Sequence, residues 1–245
     1  MNPLRVVEIV RRMEQGFTQP FLVRAQDDAL YVAKGHTTAR KGLFAEWLCA
    51  HIGRALDLPI PPFALLEVTP DLLSMMGPEA VDLGAGIAFG SRLEPLAQEL
   101  TLHQTAQVAP DLRRLVLAFD WWLENADRTL SDTGGNPNLL WRTTEPNLLV
   151  IDHNLAFDSK FDPTRFLDTH VFRRDAQGLF DDWVNRVEMQ QRLRSVLPAF
   201  DGALASLPEE WHWVDTERTV PVGIDWIARR SRLAQRLEMR VGGPS

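Results

Sequence analysis

The chain has 245 residues, of which 45% are hydrophobic and 24% charged, the composition of an ordinary globular protein with a sizeable core. Its 26 basic and 33 acidic residues give a formal net charge of -7, which argues against nucleic-acid binding as the main task, because neutralising phosphates requires massed lysine and arginine. The arginine-rich stretch RRSRLAQRLEMR (229–240) is therefore interpreted as the solvated face of a helix.

The chain has one cysteine, Cys49, which stands in an apolar helical pattern. A single cysteine allows no intrachain disulfide and no thiolate zinc site, so we interpret it as a small core residue. The sequence has no apolar run of membrane-spanning length and no charged-then-apolar leader. We therefore expect a protein of the reducing cytoplasm that does not enter a membrane.

The first part of the chain alternates between short β-type runs and turns, with one long helix. Apolar residues at positions 43, 44, 47, 48, 52 and 56 have a helical period, and prolines at 59, 61 and 62 end the pattern. The predicted elements are strands over 20–25 and 29–34, a helix over 43–56, and strands over 63–68 and 86–93.

Helices dominate the chain from Ala97 onward. The predicted elements are a buried helix over 112–123, strands over 138–141 and 148–151 joined by a turn at EPN, and helices around 183–197 and 222–240. The composition shift near 92–100 predicts two domains, a β-rich one over 1–92 with one principal helix and a helical one over 93–245. The expected fold class is α+β.

A lysine and a glutamate in the β-rich part are the first candidates for chemistry. Lys34 ends the run YVAK, and Glu46 interrupts the apolar neighbourhood FAEWL on the next helix. Such a pair can fix an ammonium group so that it holds nucleotide phosphates. The alternative is a structural ion pair or a solvated charge at the sheet rim.

The segment NADRTLSDTGGNPNLL (125–140) places polar residues between two apolar elements. Asp127 follows the buried helix, where its carboxylate can accept a proton from a hydroxyl nucleophile. Arg128 can orient Asp127 or neutralise phosphate charge. The alternative is an aspartate that caps its own turn.

Two oxygen-bearing side chains flank the pair of predicted strands. Asn138 opens the first strand, after two glycines and Pro137, and Asp152 follows the apolar run LLVI. Hard cations such as Mg²⁺ prefer oxygen ligands of this kind. Both residues also suit plain turns. His153 is interpreted as a loop histidine, and Asp158 is a secondary metal candidate.

The order strand lysine, helix glutamate, loop aspartate, asparagine and strand-end aspartate is typical of kinase-type phosphotransferases. The motifs GFTQPFLV, YVAK, FAEWLCAHIGRALDLPIP, IAFGSR, WLENADR, GNPNLL and VIDHNLAF together resemble HipA-like kinases, in a compact branch without an extra N-terminal subdomain, over about residues 12–160. The resemblance implies a two-lobed protein-kinase-like fold, related to lipid kinases, that uses ATP and Mg²⁺.

The resemblance also implies roles for single residues. It implies that Lys34 holds phosphates with Glu46 as its partner, that Asp127 is the catalytic aspartate, and that the metal ligands are Asn138 and Asp152. The implied phosphate-covering loop runs from Gly16 to Phe21, with backbone donors at Thr18 and Gln19. The implied adenine-contacting strand contains Phe89 and Gly90.

Three features depart from the kinase pattern. Asp127 and Asn138 are eleven residues apart, against roughly five in protein kinases, so SDTGG is interpreted as an insertion. HipA toxins can be regulated at a serine of the phosphate loop, where this chain has Thr18. The segment HNLAF follows VID in place of the DFG type of sequence.

The leading hypothesis is a kinase that phosphorylates a hydroxyl, Ser or Thr of a protein or a small molecule. A second is a nucleotide-binding pseudokinase or a toxin–antitoxin type of interaction module. Tryptophans 183, 211, 213 and 226 suit an interface, but they also suit a core, which is the preferred interpretation. A third is a metal-dependent hydrolase that uses Asp127, Asp152 and Asp158, which leaves the lysine–glutamate pair unexplained. The sequence identifies neither the acceptor nor an antitoxin-like partner.

Overall fold

A computed structural model describes residues 2–14, 19–36, 38–77, 80–145 and 147–238. The contacts divide the chain into two compact units. The first comprises Met1–Trp47, Pro61–Pro95 and Ala205–Gly223, and the second Leu48–Ile60, Leu96–Leu204 and Ile224–Ser245. The first unit therefore includes a segment from late in the chain, whereas the predicted boundary near residue 92 assigns that segment to the second domain.

The first unit is built around a sheet of five strands that closes on itself in the order β1-β2-β3-β5-β4. Neighbouring strands are antiparallel except β1 and β4, which are parallel. The strands are β1 (Leu4–Arg12), β2 (Phe21–Ala25), β3 (Leu30–Lys34), β4 (Phe63–Val68) and β5 (Gly86–Arg92).

Strand β1 was not predicted from the sequence, and its irregular pairing explains why. Its register against β2 shifts twice, between Val6 and Glu8 and between Ile9 and Arg11. The shifts leave Val6 and Ile9 as the two fully buried residues, three positions apart. A bulged strand loses the two-residue alternation by which strands are identified.

The first helix, α1 (Arg40–Ala55), begins in the first unit, and the division between the units falls within it, after Trp47. A second helix, α2 (Pro70–Met76), is capped by Thr69, whose side chain accepts a hydrogen bond from the Leu72 amide.

Residues 205–223 complete the first unit through a short 3-10 helix at Glu209–His212. The Trp211 ring is fully buried, and its Nε1 donates to the Ile87 carbonyl at 2.8 Å. Glu210 accepts a hydrogen bond from the Ile87 amide at 2.5 Å. These two contacts satisfy the backbone of β5 at its beginning.

The second unit is mainly helical and includes a three-stranded antiparallel sheet in the order β6-β7-β8. In its helix α4 (Pro110–Trp122), every residue from Leu115 to Trp122 is buried. The elements are β6 (Gln98–Glu99), α3 (Leu102–Thr105), α4 (Pro110–Trp122), β7 (Leu139–Trp141), β8 (Leu148–Val150), α5 (Pro163–Thr169), α6 (Ala176–Phe180), α7 (Trp183–Ser195), α8 (Leu197–Ala205) and α9 (Trp226–Arg236). Among the described helices, none has both the length and the apolar character needed to span a membrane.

Candidate functional site

In the first unit, Lys34 and Glu46 form a buried ion pair between the end of β3 and the middle of α1. Lys34 is 7% exposed and Glu46 2% exposed, and the Lys34 Nζ donates to Glu46 Oε1. Removing two charges from water is costly unless they pair closely, so each residue fixes the position of the other. The ammonium group is thus anchored to a strand end by a carboxylate of the helix.

The phosphate-loop assignments rest on Gly16, Thr18 and Gln19. Gly16 and Thr18 lie outside the described residues. Gln19 has a φ of 42°, in the left-handed region that few non-glycine residues adopt. It is followed by Pro20, whose carbonyl accepts a hydrogen bond from the Met13 amide at 2.8 Å and so continues the pairing of β1 with β2.

Phe89 and Gly90 lie inside β5, where their side-chain positions face packed neighbours. The Phe89 ring is buried and stacks on Phe63, with 6.0 Å between ring centroids. A Cβ atom at Gly90 would lie 2.4 Å from the Leu66 side chain. Neither position therefore offers a ligand a side chain, and the backbone of both lies between the paired strands β3 and β4.

In the second unit, Asp127 lies in the loop after α4 and accepts two side-chain hydrogen bonds on one oxygen. The Nδ2 groups of Asn136 and Asn138 donate to Asp127 Oδ2 at 2.8 and 2.9 Å. Asn136 is exposed and Asn138 is 8% exposed. The amides of both asparagines, the exposed Asn136 as well as the buried Asn138, therefore hold the Asp127 carboxylate.

The β7–β8 hairpin brings Asn138 and Asp152 to the same end of the small sheet. Leu139 pairs with Val150, and the Ile151 amide donates to the Asn138 carbonyl at 3.2 Å. Asn138 and Asp152 have φ values of 49° and 53°. Left-handed backbone at a residue other than glycine is strained and concentrates at functional sites.

The pKa of Asp127 is raised, because burial disfavours its charged form and the negative charge of Asp152 adds to that effect, although the amide of Asn138 opposes it. Two carboxylates therefore lie close enough to repel each other. A divalent cation would offset this repulsion, and Asn138 adds an amide oxygen to the carboxylate donors. The donor chemistry thus fits Mg²⁺, which binds few protein oxygens when a nucleotide supplies phosphate oxygens.

The insertion between Asp127 and Asn138 forms a closed loop, which accounts for their long separation in sequence. The Thr129 amide donates to the Asn136 carbonyl at 2.8 Å, and the Asn136 amide donates to Thr129 Oγ1 at 3.2 Å. Ser131 and Gly134 pair within the loop. The chain therefore leaves after Thr129 and returns at Asn136, beside Asp127.

Arg128 does not lie where it could neutralise phosphate charge. Its side chain is fully buried and pairs with Asp120, with 2.7 Å between Nε and Asp120 Oδ2. Its Nη1 donates to the carbonyls of Asn138 and Ile151. The phosphate role predicted for Arg128 is therefore wrong. Its guanidinium group has no access to solvent and donates to acceptors of the protein, so it cannot contact a phosphate.

Asp120 and His170, which were not predicted from the sequence, form the buried support of Arg128. His170 Nε2 lies 3.0 Å from Asp120 Oδ2, and its Nδ1 accepts a hydrogen bond from the Phe172 amide at 3.1 Å. Because Nδ1 accepts, the proton resides on Nε2 and the ring is neutral. Arg128 and the hydrogen bond from His170 outweigh burial and lower the pKa of Asp120 to about 2. A carboxylate within the apolar stripe of α4 was the available sequence signal for Asp120.

The arginine-rich C-terminal helix contacts the loops beside Asp127, and its interpretation as a solvated face is wrong for the buried Arg236, whereas the side chains of Arg230 and Arg232 are 43% and 50% exposed. Arg232 Nε donates to the buried Glu124 at 2.7 Å, and Arg236 also pairs with Glu124. Arg229 donates to the Phe157 carbonyl. Glu124 and Phe157 have φ values of 56° and 62°, so the helix stabilises two further strained positions.

Asp158 and His153, the two other side chains considered in this stretch, make contacts of their own. Asp158 is exposed and accepts a hydrogen bond from the Lys160 amide at 2.9 Å. His153 is buried with its ring edge-on to Phe119, 5.8 Å between centroids. Within the described ranges, no three His, Cys, Asp or Glu side chains form a group able to hold a metal ion. The three-aspartate site of the hydrolase hypothesis is therefore not supported.

Replacing Lys34 alone should destabilise the protein more than replacing both members of its ion pair. Lys34→Met leaves Glu46 buried without its ammonium partner, and we expect a loss of about 3–5 kcal/mol in urea unfolding. Lys34→Met/Glu46→Leu should recover most of that loss, whereas the exposed control Lys160→Met should change stability by less than about 0.5 kcal/mol. A double variant as unstable as the single one would contradict the pairing.

The neutral state of His170 predicts a pH-dependent stability. Burial lowers the His170 pKa below 6.5, so the unfolded chain binds more protons than the folded one just below that pH. The free energy of unfolding should fall as the pH drops below about 6.5, by at most about 1.4 kcal/mol per pH unit for this group. His170→Gln should reduce that slope without abolishing it, because burial also lowers the pKa of His36 and His51. An unchanged slope in urea titrations between about pH 5 and 6.5 would refute a buried neutral His170.

The closed insertion predicts different effects at its two glycines. A Cβ at Gly135 would lie 2.5 Å from the Thr129 carbonyl oxygen, whereas one at Gly134 meets nothing within 4 Å. Both glycines have positive φ, so the matched substitutions differ mainly in this clash. We expect Gly135→Ala to lower the free energy of unfolding by about 1–3 kcal/mol more than Gly134→Ala. Equal losses would show that the loop does not close against Thr129.

Comparisons with known proteins bear on this arrangement. The family described as HipA-like kinase matches residues 6–239. Nine solved chains match, among them a proinflammatory kinase of Helicobacter pylori, CtkA, with a TM-score of 0.52 and 11% sequence identity over 98% of this chain and 94% of that chain. At this identity the likeness shows a shared mixed α and β fold alone, and no curated protein matches. The family match spans nearly the whole chain and confirms the resemblance read from the sequence: this chain belongs to the HipA-like kinase family.

Proposed function

We propose that the chain is an ATP- and Mg²⁺-dependent kinase that phosphorylates a hydroxyl group, Ser or Thr of a protein acceptor. The observation that carries the proposal is the convergence of Asp127, Asn138 and Asp152 at one end of the β7–β8 hairpin. Phosphoryl transfer requires little covalent chemistry from a protein. It requires a cation on the phosphates, oxygens on the metal and a carboxylate at the nucleophile.

Asp127 is the proposed general base. Its Oδ2 accepts both asparagine amides, and no hydrogen bond from a described residue reaches Oδ1. Oδ1 is therefore the atom that receives the acceptor's proton, as the hydroxyl oxygen bonds to the γ-phosphorus and the bond to the β–γ bridging oxygen breaks. Burial makes this carboxylate more basic than usual, which suits proton abstraction.

The remaining residues bind and orient. Asn138 and Asp152 would hold Mg²⁺, which supplies neutralisation of phosphate charge, and Lys34 would hold the α- and β-phosphates with Glu46 fixing its ammonium group. By extension of the family resemblance, we assign the phosphate-covering donors to the segment 16–21 and the adenine contacts to the strand that contains Phe89 and Gly90.

A second candidate function is an interaction module without turnover, and one observation favours it. Trp183 and Val184, at the start of α7, are 67% and 55% exposed. An exposed tryptophan beside an exposed valine suits a contact with another protein. Trp211, by contrast, is fully buried in the first unit and belongs to its core.

Removing the base should separate the two candidates. Asp127→Asn keeps the shape of the side chain but cannot take a proton, so we expect phosphotransfer from γ-labelled ATP to fall by about 10²–10⁴-fold. Transfer should be measured for the protein alone and in lysate. Because a protein acceptor is proposed, the label should appear as phosphoserine or phosphothreonine.

The matched control is Asp158→Asn, the same chemical change on an exposed aspartate outside the cluster, which should retain wild-type transfer. The wild type should also gain more thermal stability from ATP with Mg²⁺ than from Mg²⁺ alone, and the ATP-linked gain should be about 2.7 kcal/mol at a hundredfold excess of ATP over its Kd. ATP-linked stabilisation with no transfer in the wild type would favour the interaction module. Transfer by Asp127→Asn within tenfold of wild type would eliminate Asp127 as the base.

A further inference from the structure

Arg128 is a fully buried arginine whose two ends serve different purposes. Its Nε and Nη2 face Asp120, at 2.7 Å from Oδ2 and 3.4 Å from Oδ1. Its Nη1 donates to two backbone carbonyls, those of Asn138 and Ile151, the latter at 3.1 Å. One planar guanidinium therefore connects helix α4 to both strands of the β7–β8 hairpin, at the end where β7 begins and β8 ends.

The two carbonyls adjoin the residues assigned to the metal. One belongs to Asn138 itself, and the other to the peptide group that joins Ile151 to Asp152. Asn138 and Asp152 both have left-handed backbone, which persists where surrounding contacts determine it. A single nitrogen atom thus fixes the two strained positions relative to each other.

Arg128 is itself held by acceptors that are fully engaged. Asp120 Oδ1 accepts from Asn125 Nδ2 at 2.8 Å, and Asp120 Oδ2 accepts from His170 Nε2 at 3.0 Å. The side chains of Asp120, Arg128 and His170 are all buried, so water does not compete for these bonds. The orientation of the guanidinium is consequently set by the protein alone.

We propose that Arg128 is a positioning residue that sets the separation of Asn138 and Asp152 and thereby the affinity of the site for a divalent cation. The inference rests on the proposed function, in which these two residues hold Mg²⁺. It differs from a stabilising role for a buried ion pair, because it predicts a loss of metal affinity in protein that remains folded. Contacts that orient metal ligands typically account for about 10–100-fold in metal affinity.

The chain offers a matched control in Arg113. Its guanidinium pairs with Asp175 at 2.9 and 3.0 Å and its Nη1 donates to the Val108 carbonyl at 2.8 Å. Arg113 therefore combines the same contacts as Arg128, a carboxylate and a carbonyl, without contacting Asn138 or Ile151. Replacing either arginine by lysine keeps the charge but removes the planar fork.

The experiment is a titration with Mn²⁺ alone, following the electron paramagnetic resonance signal of free Mn²⁺, with thermal unfolding recorded for each variant. We expect the Mn²⁺ Kd to rise about 10–100-fold in Arg128→Lys and to stay within twofold of wild type in Arg113→Lys. In Arg128→Ala, millimolar guanidinium should restore part of the affinity, whereas Arg128→Met, which fills the same space, should not respond.

Unchanged Mn²⁺ affinity in folded Arg128→Lys overturns the inference, and so does an equal loss in Arg113→Lys. If Arg128→Lys does not unfold cooperatively, the Mn²⁺ Kd is measured in His170→Gln instead, since that change perturbs Asp120 without removing a charge. A raised Kd then supports the inference, and an unchanged Kd overturns it. Asp152→Asn separates this inference from the proposed function. If the wild type does not bind Mn²⁺, or if Asp152→Asn leaves Mn²⁺ binding unchanged, the metal assignment of the proposed function fails. If Asp152→Asn weakens Mn²⁺ binding and Arg128→Lys does not, the positioning role of Arg128 alone fails.

Discussion

The hydrogen bond from the Asn138 amide to Asp127 is the constraint on which the candidate site depends. It joins the loop after α4 to the β7–β8 hairpin across eleven residues of sequence. Two backbone closures make it feasible, the pairing of Thr129 with Asn136 and the pairing of Leu139 with Val150. The arrangement of this candidate site therefore depends on how the chain returns to Asp127 as much as on the polar residues themselves.

The site holds several locally unfavourable features together. Asp127 lies near the like charge of Asp152, and Asn138 and Asp152 adopt left-handed backbone. Each feature raises the energy of the folded state, and such departures concentrate where a protein has a functional reason for them. The buried pair of Arg128 with Asp120 offsets part of this cost, because its bonds to the hairpin carbonyls are made in a dry environment where hydrogen bonds are strong.

Elements with a clean pattern were predictable from the sequence, and elements that depend on irregular pairing or distant contacts were not. The strand over 63–68 was predicted with the limits that β4 has, because a short, mainly apolar run lies between prolines at 61, 62 and 70. The bulges of β1 remove that alternation. The packing of Trp211 on Ile87, residues 124 positions apart, has no local signal at all. At the site, the candidate side chains were identifiable by type and order, whereas His170 and the buried environment of Arg128 were not, since both depend on what folds over the loop.

Two buried acids, Asp120 and Glu124, support the loop after α4, and each is stabilised by partners of opposite charge or by hydrogen-bond donors. Asp120 pairs with Arg128 and accepts a hydrogen bond from His170. Glu124, four residues later, pairs with Arg232 and Arg236. Both acids are nearly inaccessible to water, and burying a carboxylate is costly unless cations or hydrogen-bond donors pair with it. Asp127 differs from them in having amide donors and a neighbouring carboxylate instead of a cation, and its pKa shifts upward where that of Asp120 shifts downward. The surrounding helices thus neutralise the structural acids and leave the one proposed to take a proton without a paired cation among the described residues.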